Sequence, residues 1–151
     1  LLTEQSKLST LDADDPWLAL LNRENNVKSK SVKNEIITEN ILFEFNKAEL
    51  QPQSQLTLDK VVLAMLSNSN FTIELSAHSD SKGADAYNLK LSQQRADASK
   101  LYIVNKGINA TRIIAKGYGE SKLINNCGND SICSDDEHAE NRRLEFKLIF
   151  N

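Results

Sequence analysis

Residues 71–78 read FTIELSAH, and this stretch decides the fold. Four apolar side chains alternate with polar ones along it, at Phe71, Ile73, Leu75 and Ala77. A period of two is typical of a β-strand that buries one face and exposes the other. The stretch therefore predicts a strand in a sheet with one apolar face.

Helical patterns flank this strand on both sides. Upstream, Leu58, Val62, Met65 and Leu66 recur with the spacing of a single apolar helix stripe. Downstream, a longer helix is predicted to end near Gly107, because glycine is a common helix stop. The apolar positions of this longer helix are Tyr87, Leu91, Ala98, Leu101 and Tyr102.

Three further strands follow from alternating patterns. They are predicted around Ile41, Phe43 and Phe45, from Arg112 to Tyr118, and around Leu144, Phe146, Leu148 and Phe150. The order is then β-α-β-α-β-β. We expect a two-layer α/β sandwich over residues 35–151, with helices packed on one face of a four-stranded mixed sheet.

The polar residues 1–34 are predicted to be a linker or N-terminal extension. A short helix is expected near residues 16–22, with Asp15 as N-cap and Pro16 in the first helical position. Its Trp17 and leucines could dock onto the domain, onto an envelope protein partner, or onto a region upstream.

Composition bounds the class of protein. The 151 residues are 40% hydrophobic and 26% charged with a net charge of −3, as in an ordinary globular domain. Nucleic-acid binding is disfavoured, since it requires clustered Lys and Arg. No apolar run approaches the ~20 residues that span a bilayer, so membrane association is expected only through regions outside this chain. The start at Leu1 does not resemble a signal peptide, and the chain is interpreted as a fragment or processed product.

The two cysteines, Cys127 and Cys133, lie in one polar, loop-forming stretch. We expect a disulfide, worth roughly 2–3 kcal/mol at most for so short a loop. A metal site is the weaker alternative, because no second Cys pair or suitably spaced His accompanies them. A disulfide points to an oxidising compartment.

Asp80 and Arg95 are the main candidates for a binding site. Asp80 is expected just past the strand at residues 71–78, and Arg95 on the helix that follows. One carboxylate and one guanidinium in proximity suit a ligand that carries both an ammonium and a carboxylate. Gly83 would allow the intervening turn, whose N–H groups could hold a carboxylate. The simpler alternative is a structural ion pair or helix cap.

Catalysis and metal binding are poorly supported. His78 and Ser79 are adjacent on a strand and should point to opposite faces, so they are badly placed as base and nucleophile. No metal and no cofactor are expected. Arg142 and Arg143 are likewise adjacent, so one can face a site while the other meets solvent or an acidic partner.

Several segments together resemble the OmpA-like C-terminal peptidoglycan-binding domain family (outer membrane protein A and relatives) over about residues 36–151. They are Phe43-Glu44-Phe45-Asn46, residues 78–83, residues 88–96, Gly107-Ile108, Gly117-Tyr118-Gly119-Glu120 and residues 141–145. Ala77 and Ser79 depart from the usual glycine and threonine but are small. The cysteine loop resembles an insertion in some family members and could border the pocket.

The resemblance implies non-covalent binding of peptidoglycan through diaminopimelate in its stem peptide. It assigns the ligand's amino and carboxylate groups to Asp80 and Arg95. It assigns supporting contacts to Asn46, Asn88, the main chain at Leu91, and Arg142.

The implied protein is not an enzyme. It anchors an outer-membrane or periplasmic assembly to the cell wall, on the periplasmic side of a Gram-negative outer membrane. The alternative is a protein–protein interaction module of the cell envelope, acting through the Trp17 segment or the cysteine loop. A hydrolase using His78 and Asp80 ranks third.

Overall fold

Four strands and four α-helices form the part of the chain that the structure describes. The structure is a computed structural model, and it describes residues 15–21, 35–41, 43, 46–129 and 132–150. In chain order the elements are α1 (Pro16–Leu21), β1 (Glu35–Glu39), α2 (Pro52–Ser67), β2 (Phe71–His78), α3 (Asp85–Asn105), β3 (Ile113–Gly119), α4 (Asp135–Ala139) and β4 (Arg143–Phe150). The predicted α/β sandwich and its β-α-β-α-β-β order are confirmed. The short helix α4 falls within the segment that the sequence predicted as a loop.

The sheet is mixed, with the strand order β1-β4-β2-β3. β4 runs antiparallel to both of its neighbours, whereas β2 and β3 are parallel. Leu75 on β2 is paired with Phe146 on β4 and with Ala115 on β3, so their side chains lie in one row on the same face. Buried residues of α2 and α3 pack against that face and complete one core.

The first strand lies upstream of its predicted position. β1 ends at Glu39, which is paired with Leu144. Because β4 begins at Arg143, the described residues Ile41 and Phe43 lie beyond its reach. Phe43 instead forms an isolated bridge with Leu50. The prediction for Phe45 lies outside the described residues.

The buried face of α3 also differs from the prediction. Tyr87 and Leu101 are exposed to 43% and 60%, respectively. The buried residues of this helix are Asn88, Ser92, Ala96, Ser99 and Ile103. This face is mostly small and polar because the helix approaches β3 closely. A Cβ added at Gly117 would lie only 2.2 Å from the backbone nitrogen of Gln93. In α2, Leu66 is likewise exposed, to 49%, rather than part of the core.

The helix α1 is part of this core. Its predicted N-cap is present, because the Asp15 carboxylate accepts a hydrogen bond from the backbone N–H of Trp17 at 2.9 Å. Trp17 and Leu20 are fully buried. The indole packs edge-on against Phe146 at 5.4 Å and donates to the Glu39 carboxylate at 3.0 Å. Of the three docking alternatives for Trp17, the structure shows docking onto the domain. None of the described helices has the length and apolar character needed to cross a membrane.

Candidate ligand-binding site

One cavity of about 690 Å³ lies where the end of β2, the first half of α3 and the chain around α4 meet. All six predicted binding residues line it, namely Asn46, Asp80, Asn88, Leu91, Arg95 and Arg142. Its other lining residues include Phe43, Ser79, Lys82, Gly83, Tyr87 and Ala139. The structure therefore brings the six together, while their role in binding stays a prediction.

Asp80 is held in a fixed position in the loop after β2. One carboxylate oxygen accepts a hydrogen bond from the backbone N–H of Lys82 at 3.0 Å. The other pairs with a guanidinium nitrogen of Arg142. The Asp80 side chain is 9% exposed, and that of Arg142 is 42% exposed. A negative charge thus lines the cavity with its position already set, and its ion-pair partner is at the solvent side.

Arg95 lies across the cavity on α3. Its Nε donates to the carbonyl of Lys47 at 3.1 Å, and its guanidinium lies over the Phe43 ring at 4.8 Å. Burial lowers the pKa of Arg95, and Arg142 lowers it further, whereas Tyr87 and Asp80 raise it. Arg95 therefore interacts electrostatically with both Asp80 and Arg142, and the three charges share one cavity.

Asn88 holds the Asp80 loop in place. Its side-chain nitrogen donates to the carbonyl of Lys82 at 2.9 Å and lies 3.4 Å from that of Asp80. The turn passes through Gly83 with φ of +92°, a conformation that glycine adopts freely, as predicted. The side-chain nitrogen of Asn88 therefore already has acceptors within the protein.

Tyr87 also lines this cavity, which was not predicted. It was predicted as a core residue, but it lines the cavity and donates its hydroxyl hydrogen bond to the side-chain oxygen of Asn46. Asn46 itself has φ of +58°, which asparagine tolerates better than most residues. The signal was present in the sequence, because Tyr87, Leu91 and Arg95 are each four residues apart and share a helix face.

The cysteine loop supports the Asp80 loop from behind. Cys127 and Cys133 form a disulfide, as predicted. The buried Ser81 hydroxyl donates to the carbonyl of Cys127 at 2.6 Å. Lys82 pairs with Asp135, at the start of α4, at 2.7 Å. The loop therefore contacts the segment that carries Asp80. Both sulfurs are committed to the disulfide, so neither can ligate a metal as a thiolate.

Glu120 also belongs to the hydrogen-bond network around the Asp80 loop, through Asn88. Burial raises the pKa of Glu120, and a hydrogen bond with Asp85 raises it further. Asn88 opposes this effect by donating to the Glu120 carboxylate at 3.3 Å. Two acidic groups thus lie next to the loop that presents Asp80.

His78 lies outside the cavity, against Tyr118 and Glu145. Its ring stacks on Tyr118 at 5.3 Å, and its Nε2 lies 3.4 Å from a Glu145 carboxylate oxygen. Burial, aided by Arg143 and opposed by Glu145, lowers the pKa of His78 to about 4. Arg143 donates to Glu145 at 2.8 Å, so it has the acidic partner that was expected of one of the two arginines. Because His78 is not among the residues that line the cavity with Asp80, the hydrolase alternative gains no support.

The fold is that of an OmpA-like domain. The OmpA family matches residues 42–135, and the chain belongs to this family. It is 37% identical over 114 residues to outer membrane protein A of Shimwellia blattae, covering 72% of this chain and 47% of that protein. It is 40% identical over 114 residues to the photosystem I P700 chlorophyll a apoprotein A2 of Gloeobacter violaceus, covering 75% of this chain but 13% of that protein. The chain thus spans less than half the length of these curated relatives.

Solved structures share the fold. One is the cell wall anchor of the T6SS from Pseudomonas aeruginosa, with a TM-score of 0.65 and 24% identity over 78% of this chain and 82% of that one. Another is the peptidoglycan-associated lipoprotein from Burkholderia pseudomallei, with a TM-score of 0.63 and 24% identity over 72% and 88% of the two chains. At this level of identity the likeness concerns the fold.

Proposed function

We propose that this domain binds peptidoglycan without covalent attachment, through the diaminopimelate residue of the stem peptide. The observation that carries the proposal is the placement of Asp80, Arg95 and Arg142 around one cavity. Family membership supports it, as do relatives with the fold that are titled a peptidoglycan-associated lipoprotein and a cell wall anchor.

The charges of the cavity suit the free end of diaminopimelate. Its ammonium would pair with the Asp80 carboxylate, and its carboxylate would receive two parallel hydrogen bonds from the Arg95 guanidinium. Asn46, Asn88 and the main chain at Leu91 would complete the contacts. A cavity of about 690 Å³ is within the range of small-ligand sites.

A binding module of this kind anchors an assembly to the cell wall and carries out no reaction. The curated relative in Shimwellia blattae is named an outer membrane protein. We place the domain accordingly on the periplasmic side of a Gram-negative outer membrane, where the disulfide can persist. The interaction-module alternative loses one of its two surfaces, because Trp17 is buried in the domain.

Two substitutions test the site directly. Asp80→Asn and Arg95→Gln should each weaken retention on purified sacculi by at least ~30-fold, since removing one partner of a desolvated charged contact costs roughly 2–5 kcal/mol. Pull-down with a dilution series of sacculi measures the effect. Asp97→Asn and Lys90→Gln remove the same charges from exposed positions of α3 that do not line the cavity, and should bind normally. Unchanged retention of both site variants contradicts the proposal.

Competition identifies the ligand group. Free diaminopimelate should release the bound protein from sacculi, whereas free lysine should do so far less well. Lysine offers a single α-amino acid end, with only an amine at the other. Equal competition by the two would contradict the assignment to diaminopimelate while leaving wall binding itself in place.

A further inference from the structure

The charges that line the cavity do not balance for a ligand with one ammonium and one carboxylate. Among the described lining residues there is one acid, Asp80, and there are three bases, Lys82, Arg95 and Arg142. Lys82 has its own partner in Asp135 at 2.7 Å. If Asp80 takes the ligand's ammonium and Arg95 its neighbouring carboxylate, Arg142 loses the carboxylate that it pairs with, and the other acid that acts on it, Asp135, already pairs with Lys82.

Arg142 already pairs with the Asp80 carboxylate, the group that the ligand's ammonium would bind. It pairs with one Asp80 oxygen, while the other already accepts from the backbone N–H of Lys82. An ammonium that pairs fully with Asp80 must therefore displace Arg142 or share an oxygen with it. Displacement is feasible because the Arg142 side chain is 42% exposed.

The neighbouring Arg143 has the contacts of an arginine with a purely structural role, and it can be compared with Arg142. The Arg143 side chain is only 4% exposed and is fixed by three acceptors. It donates to the Glu145 carboxylate and to the carbonyls of Asn141 and Lys122. Arg142 has Asp80 as its side-chain partner among the described residues and faces the cavity. The arrangement is that of an exchangeable counter-ion.

We propose that Arg142 is displaced from Asp80 by the ligand's ammonium and then binds a second carboxylate, so that the site selects stem peptides in which both diaminopimelate carboxylates are free. This inference rests on the proposed function and specifies its ligand. The displaced guanidinium offers a planar fork that matches a carboxylate. Stem peptides whose second carboxylate is neutralised by an amide or peptide bond give the displaced Arg142 no ligand carboxylate to pair with, and they bind more weakly.

A matched pair of peptides tests the selection. The first is a muramyl tripeptide that ends in diaminopimelate with a free terminal carboxylate, and the second is the same molecule as its terminal amide. Both keep the free ammonium and the carboxylate beside it. The unchanged protein should bind the acid about 10-fold more tightly than the amide in calorimetric titration, as one desolvated charge contact allows.

Variants of Arg142 show whether this residue distinguishes the acid from the amide or contributes equally to the binding of both. Arg142→Gln should reduce the acid-to-amide ratio to about 1 by weakening only the acid, and Arg142→Lys should retain part of the preference. Lys116→Gln, an exposed position on β3 that does not line the cavity, removes the same charge and should leave the ratio unchanged.

Three results would overturn the inference. They are an unchanged ratio in Arg142→Gln, equal loss of both peptides in that variant, and no preference in the unchanged protein. In each case the sacculus assay with Asp80→Asn still decides the proposed function separately. Failure of the unchanged protein to bind either peptide or sacculi overturns both.

Discussion

At the scale of single residues, Gly117 shows how closely the helix that carries Arg95 is packed. A Cβ at this position would lie 2.2 Å from the nitrogen of Gln93 and 2.5 Å from the carbonyl carbon of Ser92. Both atoms belong to the backbone of α3, which cannot yield locally. The Gly117 N–H also donates to the side-chain oxygen of Gln93 at 2.9 Å. Any side chain here must displace the helix.

Gly117→Ala should therefore damage stability and binding together. We expect the free energy of unfolding to fall by roughly 2–4 kcal/mol, the upper range for overpacking. Sacculus binding should weaken, because a shifted α3 moves Arg95. Urea unfolding and the pull-down assay measure the two effects. Gly128→Ala is the matched control, since a Cβ there has no heavy atom within 4 Å. Equal stability of the two variants would show that α3 accommodates the extra atom.

His78 should make stability depend on pH. Its pKa is lowered from 6.5 to about 4, mainly by burial, so the unfolded chain binds more protons than the folded one between these values. The stabilisation is therefore complete above about pH 6.5 and is lost as the pH falls toward 4. We expect about 2 kcal/mol to be lost between pH 7 and pH 4.5.

Urea unfolding of the unchanged protein and of His78→Phe at both pH values tests this. Phenylalanine keeps a ring to stack on Tyr118 but cannot titrate, so its loss over this range should be smaller by about the same amount. Arg143 and Glu145 lie next to His78, and Glu145 has a lowered pKa. Its contribution is lost below about pH 4.5 in both proteins. Equal pH dependence of the two proteins would mean that His78 is not the group responsible.

At the scale of elements, the sequence was most informative where burial alone sets the pattern. β2 and β4 alternate regularly because one sheet face packs on the core, and both were predicted. β1 was misplaced because apolar Ile41 and Phe43 also alternate, although β4 begins only at Arg143 and does not reach them. Strand pairing is a long-range property, and a local pattern does not contain it.

The buried face of α3 was also predicted wrongly, but for a different reason. Its buried face carries Ser92, Ala96 and Ser99, since only small side chains fit against β3 at this distance. A search for an apolar stripe therefore selected Tyr87 and Leu101, which lie on exposed faces. The buried face of α3 is set by how closely the helix packs on β3 rather than by hydrophobicity. The periodicity of apolar residues therefore does not reveal this face.

The sequence named the residues that line the candidate site, but it did not predict the contact between Asp80 and Arg142. Asp80 and Arg95 belong to consecutive elements, so their proximity follows from a short connection. The partner of Asp80 is Arg142, 62 residues away in sequence. That contact depends on the order of strands in the sheet, which places the start of β4 beside the end of β2.

At the scale of the whole molecule, α1 is part of the core, within a segment that was predicted to be a linker or N-terminal extension. Trp17 packs on Phe146, Asp15 pairs with Lys60 at 2.7 Å, and Asn68 donates to the carbonyl of Leu20 at 2.9 Å. These contacts reach β4 and α2. The boundary predicted at residue 34 would remove all of them from the domain.

A chain that begins at residue 35 should therefore be less stable than the full chain. Trp17→Ala should reproduce much of the loss, roughly 3–5 kcal/mol for a buried tryptophan. Chemical unfolding of both, monitored by far-UV circular dichroism, measures this. Leu101→Ala, at a position exposed to 60%, is the control and should change stability little. If the shortened chain unfolds like the full one, residues 1–34 act as the linker that the sequence predicted.

The docking of α1 has a mechanical consequence if the domain binds the cell wall as proposed. Asn68, which holds α1, precedes the start of β2, whereas Asp80 follows its end, so the two attachment points lie at opposite ends of that strand. Tension between the bound ligand and the chain upstream of α1 would act on α1 before it acts on the sheet. A six-residue helix should detach at lower force than the sheet. Under the proposed wall binding, release of this helix would lengthen the chain upstream of the sheet while the ligand stays bound.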